Sequence, residues 1–141
     1  MMAAGHRGAE AAAFERKVPV PATLAITVLT SMDAESLAAT GVSRTLPEQV
    51  SALAVQAREA GLSGIVCSPQ EAKGMRELLG PEALIVTPGV RPAGSAKGDQ
   101  SRVATPAQAF ENGASHIVVG RPITQADDRV AAFEAIAAEL A

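Results

Sequence analysis

At 141 residues the chain suits one domain with a real core, and its 48% apolar and 2% aromatic content suits alanine-rich helices packed closely on a sheet. A net charge of -3 without a basic cluster excludes the positive stripe of a nucleic-acid surface, and no apolar run approaches the length that spans a bilayer. The single cysteine, Cys67, excludes an intrachain disulfide, and with no charged-then-apolar leader the expected setting is cytoplasmic. Small anionic ligands stay open, because one arginine in a pocket is enough.

Residues 1–17 are alanine-rich, with Glu10, Phe14 and Glu15 at helical spacing, and predict a helix that stops before Pro19 and Pro21. His6 has no second ligand at metal spacing and reads as a surface or capping residue. Residues 23–29 (TLAITVL) form a short apolar run without polar alternation, which predicts a parallel strand covered on both faces. Thr30-Ser31-Met32-Asp33 follows at its C-terminal end, where open α/β sheets and barrels place their ligands. Thr30 and Ser31 either hydrogen-bond a substrate there or, with Asp33, cap a short helix over 34–40.

Thr45-Leu46-Pro47-Glu48 has the capping-box pattern, and Val50, Leu53, Ala54 and Ala57 fall on one face of the helix that follows, up to Gly61. Residues 64–67 are the second strand. Ser68-Pro69-Gln70-Glu71 repeats the box with proline at the first helical position, and that helix ends at Gly80 with Met75 and Leu79 facing inward and Lys73 in solvent. Cys67, with no histidine near it in sequence, reads as a small buried apolar residue and not as a nucleophile.

Residues 83–87 are the third strand, and residues 88–100 are a long connection for a strand-to-helix loop. It is either a lid whose Arg91, Lys97 and Gln100 reach an anion, or a mobile solvent loop with incidental charges. Thr105-Pro106-Ala107-Gln108 opens another boxed helix that closes at Asn112-Gly113. The fourth strand covers 116–119, with His116 at the end away from the expected site. Val118-Val119-Gly120-Arg121-Pro122-Ile123-Thr124 then reads as a phosphate grip: a glycine that lets a ligand approach the backbone, an arginine fork, and a helix opening near Thr124. A plain strand-to-helix turn with a surface arginine is the other reading. A last helix over about 127–140 is expected to bury Val130, Phe133, Ile136 and Leu140.

Strands alternating with helices call for an α/β fold with a parallel sheet and right-handed crossovers. Eight-unit barrels keep phosphate in the loops after their last two strands, which here are the 91–100 connection and the Gly120-Arg121 turn. The count, however, makes only half a barrel.

Five stretches carry a resemblance: Val28-Leu29-Thr30-Ser31-Met32-Asp33; Val66-Cys67-Ser68-Pro69-Gln70-Glu71-Ala72; Val86-Thr87-Pro88-Gly89-Val90-Arg91-Pro92; Gly98-Asp99-Gln100 with Arg102-Val103-Ala104-Thr105-Pro106; and Val119-Gly120-Arg121-Pro122-Ile123-Thr124. In order and approximate spacing they resemble the C-terminal half of the orotidine 5'-phosphate decarboxylase family, over nearly the whole chain, and the opening helix is similar to that family's fourth barrel helix. The resemblance implies one partial domain over 1–141, the C-terminal half of a (β/α)8 TIM barrel. It also implies conversion of orotidine 5'-monophosphate (OMP) to uridine 5'-monophosphate (UMP) and carbon dioxide, without cofactor or metal. By position, Arg121 and Gln100 would hold the substrate phosphate beside the Gly120 backbone. Thr30 and Ser31 would lie near the pyrimidine and ribose, and Arg91 would support the root of a lid.

The departure from the family lies in its reacting groups. There an Asp-x-Lys-x-x-Asp motif at the third barrel strand, a lysine at the second and an aspartate at the first stabilise and protonate a carbanion, with one aspartate crossing a dimer interface. Asp33, Asp99, Asp127 and Asp128 are all the aspartates here, and none has a lysine two positions on, so no catalytic residue is expected in this chain. The expected reading is a piece of a decarboxylase whose first half lies elsewhere, partnered by that half or by a second copy. A non-catalytic phosphate-binding half-barrel and a phosphate-binding barrel enzyme of other chemistry stay open. Two unpaired strand edges and an open apolar interior predict self-association.

Overall fold

A computed structural model describes residues 1–92 and 104–140. The chain opens with α1 (Met2–Arg16), which ends on Lys17 in the left-handed region at φ 54°, with the Val18 N–H bonded back to the Ala13 carbonyl at 3.1 Å. That is a six-to-one helix closure, made here by lysine where glycine is commoner. Only Ala13 of this helix is buried.

Four strands follow: β1 (Leu24–Ile26), β2 (Gly64–Val66), β3 (Leu84–Thr87) and β4 (His116–Ile117). They form one parallel sheet in chain order, β1-β2-β3-β4, with α2 (Ala34–Ala39) and α3 (Leu46–Glu59) between the first two, α4 (Ala72–Leu79) before β3 and α5 (Pro106–Glu111) before β4. A short α6 (Arg121–Thr124) and α7 (Arg129–Ala138) complete it. The alternation expected from the sequence is therefore present.

Successive residues of a strand point to opposite faces, and the register uses this. Ala25, Ile65 and Ile85 are paired in line across three strands, all buried, and share one cluster with Val50, Ala54 and Ala57 of α3 and Ala72 and Met75 of α4. These are the helical positions that the 3.6-residue period selects. A smaller cluster joins Val90, Ala109 and Ala114 to Ile117 and Val119.

The local signals hold closely at two of the three boxes. The Thr45 amide donates to the Glu48 carboxylate at 2.8 Å, and at α5 the Thr105 amide donates to Gln108 Oε1 at 3.1 Å while the Gln108 amide returns a bond to Thr105 Oγ1 at 3.2 Å. The third box falls short. Glu71 still accepts from the Ser68 amide at 2.9 Å, but the Ser68 hydroxyl takes the Gln70 amide, so residues 68–71 fold as a turn around the buried Pro69 and the helix begins at Ala72.

Three further expectations are corrected. Strand β1 stops at Ile26, well before residue 29, and just beyond it Thr27 closes onto the Val66 carbonyl with both its amide, at 3.1 Å, and its hydroxyl, at 2.8 Å. Nor is that strand covered on both faces: Ile26 is 62% exposed and Val118, beyond β4, is 51% exposed, on the face away from the helices. The last helix buries Ile136 alone, whereas Val130 and Phe133 stay 67% and 59% exposed and Leu140 is exposed as well. It lies beyond a two-residue edge strand, so among the described residues only its Ile136 side meets a neighbour. Among the described residues no helix is long and apolar enough to cross a membrane.

Candidate functional site

All four strands point the same way, so their C-terminal exits share one edge of the sheet. Beyond β1, Asp33 caps α2 by accepting the Ser36 amide at 2.8 Å, and that bond holds its carboxyl below the usual 3.8. The helix cap is thus Asp33's role. Thr30 is buried and Ser31 exposed, and both line a hollow of about 240 Å³ together with Ile26, Val66, Cys67 and Pro88. That hollow joins the exits of β1, β2 and β3. Its lining is mostly apolar, with Thr30 and Ser31 as the hydroxyl-bearing residues, a composition that suits a flat ring needing a few directional bonds. Cys67 is buried and outside any disulfide, a small core residue as the sequence reading has it.

Beyond β3, Gly89 adopts φ 78°, a conformation open to glycine, and turns the chain into Val90 and Arg91. The Arg91 amide donates to the Ala104 carbonyl at 2.9 Å, and Val90 bridges Ala104 in parallel. The two ends of the long connection are thereby pinned together. The Arg91 side chain is buried and donates from Nη1 to the Val90 carbonyl at 2.8 Å. Lys97 and Gln100, the other two residues expected to reach an anion, lie outside the described residues.

Beyond β4, α6 opens at Arg121, directly after Gly120, and not near Thr124. The reason is Pro122, whose fixed φ favours a first helical turn. Its chain neighbours aside, a side chain at Gly120 would meet no atom of the described residues within 4 Å, so on their side the space beside its backbone is open. The helix end adds less than the sequence reading expects. Pro122 has no N–H, and the Ile123 and Thr124 amides both bond the Gly120 carbonyl, at 2.9 and 3.0 Å. The cation at this turn is Arg121, an exposed residue whose guanidinium has the geometry of a bidentate match for phosphate or carboxylate.

The structure sets Arg91 and Arg121 beyond neighbouring strands, while Thr30 and Ser31 lie across the sheet. At about 4.8 Å per strand, β1 and β4 stand roughly 14 Å apart. The candidates thus form one rim with two ends, an apolar hollow with hydroxyls and a guanidinium turn. Arg121 does not line the hollow. No group of three or more metal-ligating side chains occurs among the described residues.

The remaining polar candidates lie elsewhere. His6 places Nδ1 2.8 Å from Thr23 Oγ1, ahead of β1, and so ties α1 to the sheet. It is a tether, where the sequence suggests a surface or capping residue. His116 sits at the start of β4 with Nδ1 3.0 Å from Ser115 Oγ, and Lys73 is exposed on α4. Sequence reasoning missed Arg76. From the last turn of α4 its guanidinium donates to the carbonyls of Gly80, Pro81 and Ala83, at 2.8, 2.8 and 2.7 Å, and twice to that of Gly113, at 3.1 and 2.9 Å. A basic residue just ahead of a helix-ending glycine is the signal that points to it.

The model of the orotidine 5'-phosphate decarboxylase / HUMPS family matches residues 1–136. An orotidine 5'-phosphate decarboxylase of Moorella thermoacetica is 58% identical over 132 residues, which are 93% of this chain and 52% of that protein. One of Gluconobacter oxydans is 51% identical over 140 residues, 99% of this chain and 59% of that protein. The crystal structure of orotidine 5'-phosphate decarboxylase from Lactobacillus acidophilus matches with a TM-score of 0.79 at 40% identity, covering 99% of this chain and 57% of that one. The chain spans about half the length of the curated relatives it matches, and its four strand-helix units are half of a (β/α)8 barrel.

Proposed function

The chain belongs to the orotidine 5'-phosphate decarboxylase / HUMPS family, and on that premise we propose that it supplies the substrate-holding half of an orotidine 5'-phosphate decarboxylase. That lyase converts OMP to UMP and carbon dioxide in pyrimidine biosynthesis, without a cofactor or metal. The observation that carries the reading is the order of groups along one rim: hydroxyls beside an apolar hollow at the first exit, a pinned loop root at the third, and an open glycine with an arginine at the fourth.

In this reading Arg121, with Gln100 from the connecting loop, grips the phosphate beside the Gly120 backbone. Thr30 and Ser31 bond the pyrimidine and ribose over the hollow, and Arg91 braces the loop that closes on the ligand. The phosphate is remote from the bond that breaks, so energy gained on it serves to orient the reacting ring and exclude water. The proton donor and the charges that stabilise the carbanion come from outside these residues, which hold no Asp-x-Lys-x-x-Asp sequence. The partner is a chain bearing the first four strand-helix units, and the completed barrel pairs as a dimer. The 141 residues act as one partial domain, with residues 1–17 leading into the strand-helix units of 23–141. The compartment is the cytoplasm, where a lone cysteine stays reduced.

The test combines this chain with a separately expressed N-terminal half of the Moorella thermoacetica relative and follows UMP formation from OMP. Turnover by the mixture and by neither part alone is expected. Arg121→Ala in the mixture should raise KM about 10- to 100-fold, the loss of a charge-assisted contact of roughly 1.5–3 kcal/mol. A folded complex with no turnover sinks the proposal, and UMP binding by this chain without turnover in the complex leaves it a binding module.

A further inference from the structure

Asn112 is the only asparagine of the chain, and Gly113 follows it. Asparagine is among the thermolabile residues, and a glycine after it leaves the next amide nitrogen unshielded by a Cβ. The fold nevertheless uses both. Asn112 ends α5, and its Nδ2 donates to the Pro69 carbonyl at 3.4 Å. Gly113 stands at φ 90°, and a Cβ there would come within 3.0 Å of Arg76 Cβ and 3.1 Å of Arg76 Cγ, so backbone conformation and neighbour both call for glycine. The corner lies where α4 meets the end of α5, both of them crossovers between described strands.

We propose that Asn112-Gly113 is a site of spontaneous modification gated by Arg76, converting to aspartate and isoaspartate only when the joint between α4 and the end of α5 opens. In the reaction the Gly113 nitrogen gives up its proton and bonds to Asn112 Cγ, closing a cyclic imide, and Nδ2 leaves with a proton as ammonia. Water then opens the imide. Breaking the nitrogen's bond to Cγ leaves aspartate, and breaking its bond to the main-chain carbon leaves isoaspartate, with the main chain rerouted through Cβ. One water enters, one ammonia leaves, and nothing is oxidised or reduced.

Three contacts hold the joint closed. The Gly113 amide donates to the Phe110 carbonyl at 2.8 Å, Arg76 donates to the Gly113 carbonyl from Nε and Nη2 at 3.1 and 2.9 Å, and the Ala114 amide donates to the Ala109 carbonyl at 3.0 Å. Asn112 is thereby kept at φ -77° and ψ 4°. At that ψ the Gly113 nitrogen is turned away from the Asn112 side chain, and attack needs a rotation that brings it over Cβ. The rotation carries the Gly113 N–H and carbonyl off their partners, so the rate follows the opening of the joint. Isoaspartate lengthens the main chain between the end of α5 and the carbonyl that Arg76 holds, so the clamp does not reseat after it. The inference does not rest on the activity proposed above.

A lone asparagine makes the readout clean, and none of the aspartates precedes a glycine. The chain is held in mildly alkaline buffer, with circular dichroism to check the fold. Mass spectrometry of the peptide that contains residue 112, with isoaspartyl methyltransferase labelling, follows both products. Modification is expected in the folded chain, about 10-fold or more slower than in the same chain in guanidinium chloride. Arg76→Met should speed it about 10-fold, the loss of charge-assisted bonds at a half-buried carbonyl. Arg76→Lys, the milder change, should fall between. Val50→Ala removes methyls from the core at α3 and touches neither residue of the pair, so it should lower stability and leave the folded rate unchanged. Equal rates in the folded and denatured chain overturn the proposal, as do Arg76 variants that react at the wild-type rate. A Val50→Ala rate raised as far as that of Arg76→Met overturns it too, because the site then opens only with the whole fold.

Discussion

Arg76→Met removes the guanidinium from the base of the fold while keeping most of the aliphatic stem, so its effect isolates the hydrogen bonds. Arg76 Nη1 stands within 2.7–2.8 Å of three carbonyls, those of Gly80, Pro81 and Ala83. It has only two hydrogens to give, so one of those bonds is shared. With the two bonds to Gly113, at 3.1 and 2.9 Å, the group makes in effect four. A bond to a charged donor is worth about 1.5–3 kcal/mol where water is excluded, yet the side chain is half-buried and the carbonyls of Gly80 and Pro81 can rehydrate, so the loss should be about 2–3 kcal/mol in total. For a domain of this size that corresponds to a fall in Tm of roughly 8–12 °C. Thermal denaturation followed by circular dichroism, at one protein concentration so that association does not shift the comparison, measures it. Arg76→Lys should fall between, because an ammonium cannot span Gly113 and the β3 entry together. A Tm within about 2 °C of wild type for Arg76→Met would refute the reasoning and show that the clamp is redundant with the packing of Met75 and Ala72.

Two further perturbations bear on the same frame. Gly64→Ala should destabilise by about 1–3 kcal/mol or prevent soluble expression, since the new methyl falls on the Leu84 backbone carbonyl of the paired strand, which cannot move without breaking the register; a melting temperature equal to wild type would contradict this. On acidification, Asp33 and Glu48 both resist protonation in the folded chain, Asp33 through the Ser36 amide and Glu48 through the Thr45 hydroxyl and amide. Their carboxyls are held below the usual 3.8 and 4.5, so the stabilisation is complete above those values and is lost as the pH falls past them. The Tm should therefore stay level down to about pH 5 and then drop, with a shallower drop in Glu48→Gln, and an unchanged acid limb in that variant would argue against the cap.

Much of the frame was legible because it is local. The boxes at Thr45 and Thr105 are decided by residues three positions apart, and the period of Val50, Ala54 and Ala57 selects a helix face whatever lies opposite. The short apolar runs around Ala25, Ile65 and Ile85 mark buried strands for the same reason. The rim candidates, too, could be named from strand exits alone, because a parallel sheet puts all exits on one edge.

What tertiary structure alone decided is everything that depends on a distant neighbour. An apolar run predicts that a face wants covering and says nothing of whether a partner is there, which is why Ile26, Val130 and Phe133 read as core and stand exposed. The Ser68 box had its residues in place, yet the buried Pro69 and the Gln70 amide moved the helix start to Ala72. Arg76 is an ordinary helical arginine until the turn at Gly113, 37 positions on, is folded against it. Residue types and their spacing determined the half-barrel and its rim; closure of chain segments far apart in sequence determined which apolar faces are filled, and that depends on contacts no local pattern encodes.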